Sequence, residues 1–492
     1  MKKAKKILNS APVVRYLSEP GVFVDNKLED AFSQIRFKFL LGICSFRKQK
    51  GAALSQVMFA LILWPLLGVR SINSFCGKVI TGFYIGKESV LYDFLKREDL
   101  NWRKLRLQTA SQVYRLNDFN KEPVKAFVFD DTLRARRGKG IEGASSHFDH
   151  TINRCIRGQQ VLEMGLVSPK GYIPVDSQLF TGDKKRVEKQ KPFKDARSAV
   201  ARDYNDAINL DKNKMMRQML KRALRSKLQA EYVIGDAWFG TKGNIESVLN
   251  SKLTGIFRMK NSKMKYRIND RLYTAEGIYA VKRFHSEMVE KKPWKTFSIA
   301  AEINLEENDK KRPRWVKINL IFVTPKPHHK KAFALFLCTD LSLSVEKVLE
   351  IYSLRWAIEV YFKEVKQYMG FLVEQTGNYA CHYASIHISA IRYILFSHIL
   401  MVEGEGYIGA IRNRVSKNLE LLSFASLLWE LFRALIFGTL DQLTHLIGEE
   451  LLETIKVRIN CTIREFLENA LQLDEESLIH ERRAVKAGVI GK

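Results

Sequence analysis

Cysteine is sparse and unpatterned. Cys44, Cys76, Cys155, Cys338, Cys381 and Cys461 are scattered along 492 residues with no C-x-x-C pair. That excludes a cysteine-based zinc framework and suits a reducing cytosol. The 10 histidines form no H-E-x-x-H motif, and His382 and His387 fall in a helical run, 379–401, where capping or packing accounts for them. No low-complexity tract or internal repeat is visible, and neither a helix-turn-helix nor a zinc finger is recognisable. Long hydrophobic runs are also missing. The strongest, Ala52 to Leu67, contains Ser55 and Gln56 and is broken by Pro65. It is short for a bilayer, so a buried helix is expected and no membrane partner. Met1 to Lys6 is basic, but no apolar core of signal-peptide type follows it, which points to a cytoplasmic location.

Acidic residues are the minority charge: 53 Asp and Glu stand against 81 Lys and Arg, a net charge of +28. Such an excess points to a polyanionic partner, nucleic acid foremost. A hydrophobic content of 46% supplies real cores and excludes wholesale disorder. The length suggests two to four domains.

Residues 1 to about 120 read as helical, with apolar and basic positions alternating at helical spacing. This region could grip DNA or simply cover the core. From Val124 the pattern changes. Ala126-Phe127-Val128-Phe129 is a short apolar run of the kind buried on both faces of a sheet, and it ends at Asp130-Asp131-Thr132. Strands are expected at 161–167 and 172–180, then a helix at 212–229. Another buried strand, Tyr232 to Gly235, ends at Asp236, and a helix (about 243–251) and a strand (254–259) follow. Residues 262–340 read as β-rich, with segments near 295–303, 316–323 and 332–338. Helices resume at Ser344 and run to the C-terminus.

Within that last helical part, Tyr352, Arg355, Glu359 and Lys366 are spaced to lie within roughly 60° of one another on one continuous helix. Leu354, Ile358, Tyr361 and Val365 form the opposite, apolar face. The polar stripe thus offers a carboxylate flanked by cations and an aromatic. Two aspartates at strand ends and a glutamate on a later helix make a three-carboxylate set. Such a set can ligate two divalent ions, Mg²⁺ being the natural one, for phosphodiester chemistry. Taken singly, each acid has a plain reading: a cap, a polar strand end, or an ion-pair partner on a solvated face. The coincidence of all three in a basic chain is what favours the metal site.

These residues carry a resemblance. The spacing Y-x2-R-x3-E-x6-K, filled by Tyr352, Arg355, Glu359 and Lys366, resembles the signature helix of bacterial cut-and-paste DDE transposases of the insertion-sequence 4 group. Trp356 and Ile358 fit it too. Asp130-Asp131-Thr132 with Arg137 to Gly143 resembles the first acidic block of that group, and Ile234 to Gly240 the second. The similarity spans about residues 124–400.

The resemblance implies an α/β fold. An RNase H-like mixed-sheet core (121–261 and 341–400) would be interrupted by a β-rich insertion (262–340). A helical N-terminal region (1–120, possible DNA binding) and a helical C-terminal region (401–492, possible dimerisation, with apolar 421–436) would flank it. It implies Asp130, Asp236 and Glu359 as catalytic metal ligands for two Mg²⁺ ions, with Mn²⁺ a possible substitute. Asp130 is preferred because it stands two before Thr132, and Asp131 is its competitor. Tyr352, Arg355 and Lys366 would contact DNA phosphates, and the group's flipped base would stack on an aromatic, Trp294 or Trp315 by location, Trp238 as a third. Arg137 and Lys139, in the basic run 134–139, are candidate phosphate contacts, as is the stretch 184–202; both also read as solvated loops. The implied partners are double-stranded DNA (terminal inverted repeats and target) and a second copy of the chain in a synaptic dimer. An RNase H-like nuclease without strand transfer and a domesticated, non-catalytic DNA-binding protein are the rival functions.

Overall fold

The computed structural model describes residues 26–69, 71–78, 87–149, 152–283, 287–288, 294–306, 312–324, 333–374, 376–404, 406–442 and 448–470, with the backbone alone for 26–27, 29, 77–78, 287–288, 418–434 and 460–470. The basic start of the chain and its last 22 residues lie outside that set. The chain divides into two units. One holds residues 102–365 and 376–390; the other holds the described parts of 1–101, 366–375 and 391–492.

The second of these is helical. Its N-terminal part contains α1 (Asn26–Gln34), α2 (Phe37–Ile43), α3 (Leu54–Leu63), α4 (Ile72–Lys78) and α5 (Glu88–Leu95). The apolar run singled out above forms α3 and a 3₁₀ turn, Trp64–Leu67, and is mostly buried, as expected. Here Pro65 occupies the start of the turn, where its missing N–H costs nothing.

The other unit is built on one sheet. α6 (Trp102–Leu116) leads to β1 (Ala126–Ala135), β2 (Ser145–Asp149), β3 (Arg154–Ser168) and β4 (Gly171–Phe180). Then come α7 (Ala199–Asn209), α8 (Lys212–Arg225), β5 (Tyr232–Gly235), α9 (Lys242–Asn250) and β6 (Thr254–Met259). β4 pairs β3 and β3 pairs β1, both antiparallel; β1 pairs β5 and β5 pairs β6, both parallel. Three antiparallel strands continued by two parallel ones, with helices packed against them, form the RNase H-like α/β core. Phe127, Val128 and Phe129 are fully buried, as a strand covered on both faces requires.

The β-rich stretch follows as β7 (Lys265–Ile268), β8 (Arg271–Thr274), α10 (Ala275–Lys282), β9 (Glu287–Met288), β10 (Lys295–Asn304), β11 (Trp315–Thr324) and β12 (Ala334–Cys338). It is not a separate sheet: β12 pairs antiparallel with β6, so the strand order runs on from the core as β6-β12-β11-β10-β7-β8. The aromatic rings of Tyr279, Phe297, Phe322 and Phe333 pack together on this extension.

After it come α11 (Val345–Ser353), α12 (Trp356–Tyr368), α13 (Tyr379–Glu403), α14 (Ile408–Gln442) and α15 (Glu449–Ala470). Helix starts follow side-chain caps: Ser198, Asp211, Thr241 and Ser344 each accept a bond from the backbone N–H three residues on. By length and composition α13 could cross a membrane, but most of it is buried in the protein.

A charged network lies inside the sheet-bearing unit. Arg106 pairs with Glu163 and Ser177, all three buried. Asp176 is fully buried between Arg103 and Arg222. Burial alone would raise the Asp176 carboxyl, but the two guanidinium groups outweigh it and hold it below the usual range. Arg103 also pairs with Asp203, whose second oxygen accepts from Tyr379 at 2.6 Å. The network joins α6, β3, β4, α7, α8 and the start of α13. Arg106→Ala leaves Glu163 buried without its cation, so urea unfolding should show a loss of about 3–5 kcal/mol, most of it recovered in the double variant Arg106→Met, Glu163→Leu.

Candidate functional site

Sheet register assembles the first half of the site. β1 runs ten residues along β3, but β5 accompanies it only from Ala126↔Tyr232 to Phe129↔Gly235. The residues that follow this last parallel pair are Asp130 and Asp236. The two aspartates therefore emerge side by side where β5 ends. The sequence-based expectation that both stand at strand ends holds for Asp236 alone. Asp130 is the fifth residue of β1, which continues to Ala135 because β3 keeps pairing with it.

Alternation along β1 sends Asp130 and Asp131 to opposite faces. Asp131 is already engaged: Lys212 Nζ donates to one oxygen at 2.7 Å and Gln160 Nε2 to the other at 2.6 Å. Asp130 accepts from the Asp131 backbone N–H at 2.8 Å and from Arg355 Nη1 at 3.0 Å. The other arm of the same guanidinium, Nη2, donates to Glu359. Arg355 thus ties Asp130 to Glu359, and this arrangement selects Asp130 over Asp131 as the neighbour of the helical acid.

The expected single helix from Tyr352 to Lys366 is not formed. Tyr352 is the last residue but one of α11, Glu359 and Lys366 belong to α12, and Leu354-Arg355 make a tight turn between them. At this joint the backbone bonds revert to three-residue spacing, Arg355 N–H to Tyr352 O and Ile358 N–H to Arg355 O, each 3.1 Å. The turn leaves the Tyr352 ring edge-on to Phe336 of β12, centroids 4.7 Å apart, while Arg355 reaches Asp130. The apolar back is as expected for Ile358, Tyr361 and Val365, all buried. Lys366 lies in the last turn of α12, in the helical unit.

Electrostatics mark the acids as crowded. Burial, with help from Asp236 and Asp131, pushes the Asp130 carboxyl up to about 7 against the opposing pull of the Asp131 N–H and Arg355. Burial and Asp131 also raise Asp236, opposed by the Trp238 N–H, 2.9 Å from its Oδ1, and by Arg355. Hard carboxylate oxygens that repel one another suit a hard divalent cation such as Mg²⁺. As arranged here, the guanidinium stands between Asp130 and Glu359. Among the described residues no three acid, imidazole or thiol side chains converge closely enough to hold one ion.

Other candidates separate by exposure. Arg137 and Lys139 are exposed in the loop after β1, and residues 184–197 form an irregular, largely exposed segment ahead of α7. Trp315 is covered by the Arg267 guanidinium, 4.3 Å from its centroid, and Trp294 is half-buried. Trp238, two residues after Asp236, is 46% exposed, with Lys260 Nζ at 4.1 Å and Lys212 Nζ at 5.1 Å from its ring. Trp356, beside Arg355, is 64% exposed. Lys212, Lys260 and Gln160 escaped the sequence reading, because nothing in their local pattern separates them from ordinary surface or strand residues.

Comparison with known proteins finds a family model that matches part of the chain. Residues 70–301 match the family model described as DDE superfamily endonuclease. The matched stretch contains Asp130 and Asp236 and stops before Glu359. Among solved structures, the Drosophila P element transposase strand transfer complex is similar over 92% of this chain and 99% of that chain, with 10% identity and a TM-score of 0.22. A likeness that loose carries no argument. No curated protein matches.

The crowding of the acids has a measurable consequence. The Asp130 carboxyl is raised in the fold, so metal-free protein is best served by it below the unfolded value near 3.8 and loses that stability as pH climbs through about 7. Asp130→Asn should therefore unfold at higher denaturant than the parent at pH 8, by on the order of a few kcal/mol, and the gap should close below about pH 4.

Proposed function

We propose that the chain is a DDE transposase of the cut-and-paste kind, acting on DNA. What carries this reading is the meeting of Asp130 and Asp236 at the end of one parallel strand pair, with Glu359 joined to Asp130 through Arg355. The DDE superfamily endonuclease match over residues 70–301 supports it, as does the net charge of +28.

On this reading Asp130, Asp236 and Glu359 hold two divalent ions, Mg²⁺ by preference with Mn²⁺ as substitute. Such ions acidify an attacking water or 3′-hydroxyl and steady the leaving oxygen. In-line attack on phosphorus needs no covalent protein intermediate, so Tyr352 serves as a hydrogen-bond donor to phosphate and not as a nucleophile. Arg355 offers a planar fork and Lys366 a point charge for phosphate oxygens. Exposed Arg137 and Lys139 add backbone contacts that contribute affinity without sequence choice.

Lys212, held on Asp131, keeps that second acid occupied and leaves Asp130 for the metal. An unpaired base would stack on Trp238, the exposed ring beside Asp236, in preference to Trp294 or Trp315 in the β-rich extension. The partners are terminal inverted repeats and target DNA in the cytoplasm. A second copy of the chain would join in the synaptic complex. Of the candidate dimer face, 421–436, the side chains 421–434 lie outside the described ones.

The direct test uses DNA with candidate repeat ends. Asp130→Asn, Asp236→Asn and Glu359→Gln should each lower Mg²⁺-dependent cleavage by about a thousandfold or more while leaving duplex binding within a few-fold. Full cleavage by Glu359→Gln would sink the assignment. Pre-cleaved ends separate transposase from nuclease: joined product supports strand transfer, and its consistent failure under both Mg²⁺ and Mn²⁺ favours a hydrolytic nuclease. Binding without any cleavage by the unmodified protein favours a domesticated DNA-binding protein. Trp238→Ala should weaken binding of single-stranded more than duplex oligonucleotide, by about five- to a hundredfold.

A further inference from the structure

The Arg355 guanidinium occupies a place that the carboxylates of this site would need for a metal. Its two terminal nitrogens reach different acids, Nη1 to Asp130 at 3.0 Å and Nη2 to Glu359. Among the described residues no three acids converge on a point that could hold an ion, and the pair that a metal would have to share is spanned by this fork. The side chain is 20% exposed, so a ligand arriving from solvent can reach it. Its backbone is the three-residue turn between α11 and α12, a conformation that often marks a hinge inside helical structure. Guanidinium binds phosphate in the same forked manner in which it binds carboxylates.

We propose that Arg355 is the resident counter-ion of the acid cluster and exchanges its two carboxylates for a phosphodiester when DNA binds. Divalent cations then bind weakly to the DNA-free protein, and DNA makes the acids available to them. The coupling is reciprocal: metal on the acids releases Arg355 and tightens its hold on phosphate. The ordering keeps a metal-charged, cleavage-ready site from forming before substrate is present. The inference rests on the acid-cluster reading above, and it is separable from it. DNA could strengthen metal binding simply by adding phosphate charge, so the decisive quantity is the metal affinity without DNA.

Full-length protein is titrated with Mn²⁺ alone, free ion being read by electron paramagnetic resonance, and folding is checked by thermal melting. In the absence of DNA, Arg355→Gln should bind Mn²⁺ about tenfold more tightly than the parent, with Arg355→Lys, a single point charge that cannot span both acids, in between. Adding duplex should tighten Mn²⁺ binding several-fold more in the parent than in Arg355→Gln. Folded Arg355→Gln with equal or weaker DNA-free affinity overturns the proposal. Should that variant not fold, the lysine variant decides in the same way. A separate result strikes the underlying reading: if Asp130→Asn and Glu359→Gln bind Mn²⁺ as well as the parent with and without DNA, the acids are not the metal site, and the counter-ion role falls with them.

Discussion

The parallel pairing of β1 with β5 is the constraint on which the rest depends. Its register, ending at Phe129↔Gly235, brings Asp130 and Asp236 together across more than a hundred residues of chain. A one-residue slip would send one aspartate to the opposite face of the sheet, because side chains alternate. The register is held by burial on both faces, where Phe127, Val128, Phe129, Val233 and Ile234 are fully enclosed. Core packing therefore sets the spacing of the polar site.

Charge compensation is the second theme. The sheet-bearing unit buries acids with basic partners: Glu163 with Arg106, Asp176 between Arg103 and Arg222, Asp203 with Arg103. At the mouth of the site the same device recurs in more accessible form, Asp131 with Lys212 and Asp130 and Glu359 with Arg355. The interior pairs are locked by desolvation, since removing either member strands a buried charge. The pairs at the mouth are open to exchange with a charged ligand. Among the described residues no cation pairs directly with Asp236, which accepts from the Trp238 N–H.

Much of the architecture is legible in the sequence. Apolar runs ending at Asp130 and Asp236 marked two central strands, because strands buried on both faces must be continuously apolar. The Tyr352 to Lys366 spacing marked the helical acid, and its buried back, Ile358, Tyr361 and Val365, follows from helical periodicity alone. What misled was local continuity. Residues 352–366 carry no proline or glycine to announce a break, yet the helix is interrupted at Arg355. The apolar run also could not show that β1 continues past Asp130: the extra five residues are polar or mixed and pair only because β3 is long enough to meet them. The β-rich stretch was visible as strands, but not its fusion with the core sheet through β12 and β6, a non-local pairing.

Sequence alone determined the residue types, the apolar strands and the helical position of Glu359, because hydrophobic period and apolar runs are local properties of the chain. It left Asp130 and Asp131 nearly equivalent. Tertiary structure gave them different surroundings: adjacent residues on a strand face opposite sides, and Asp130 meets Arg355, while Lys212 and Gln160 hold Asp131. It also decided which tryptophan is exposed beside the acids, since exposure depends on what packs over a ring and not on its place in the chain.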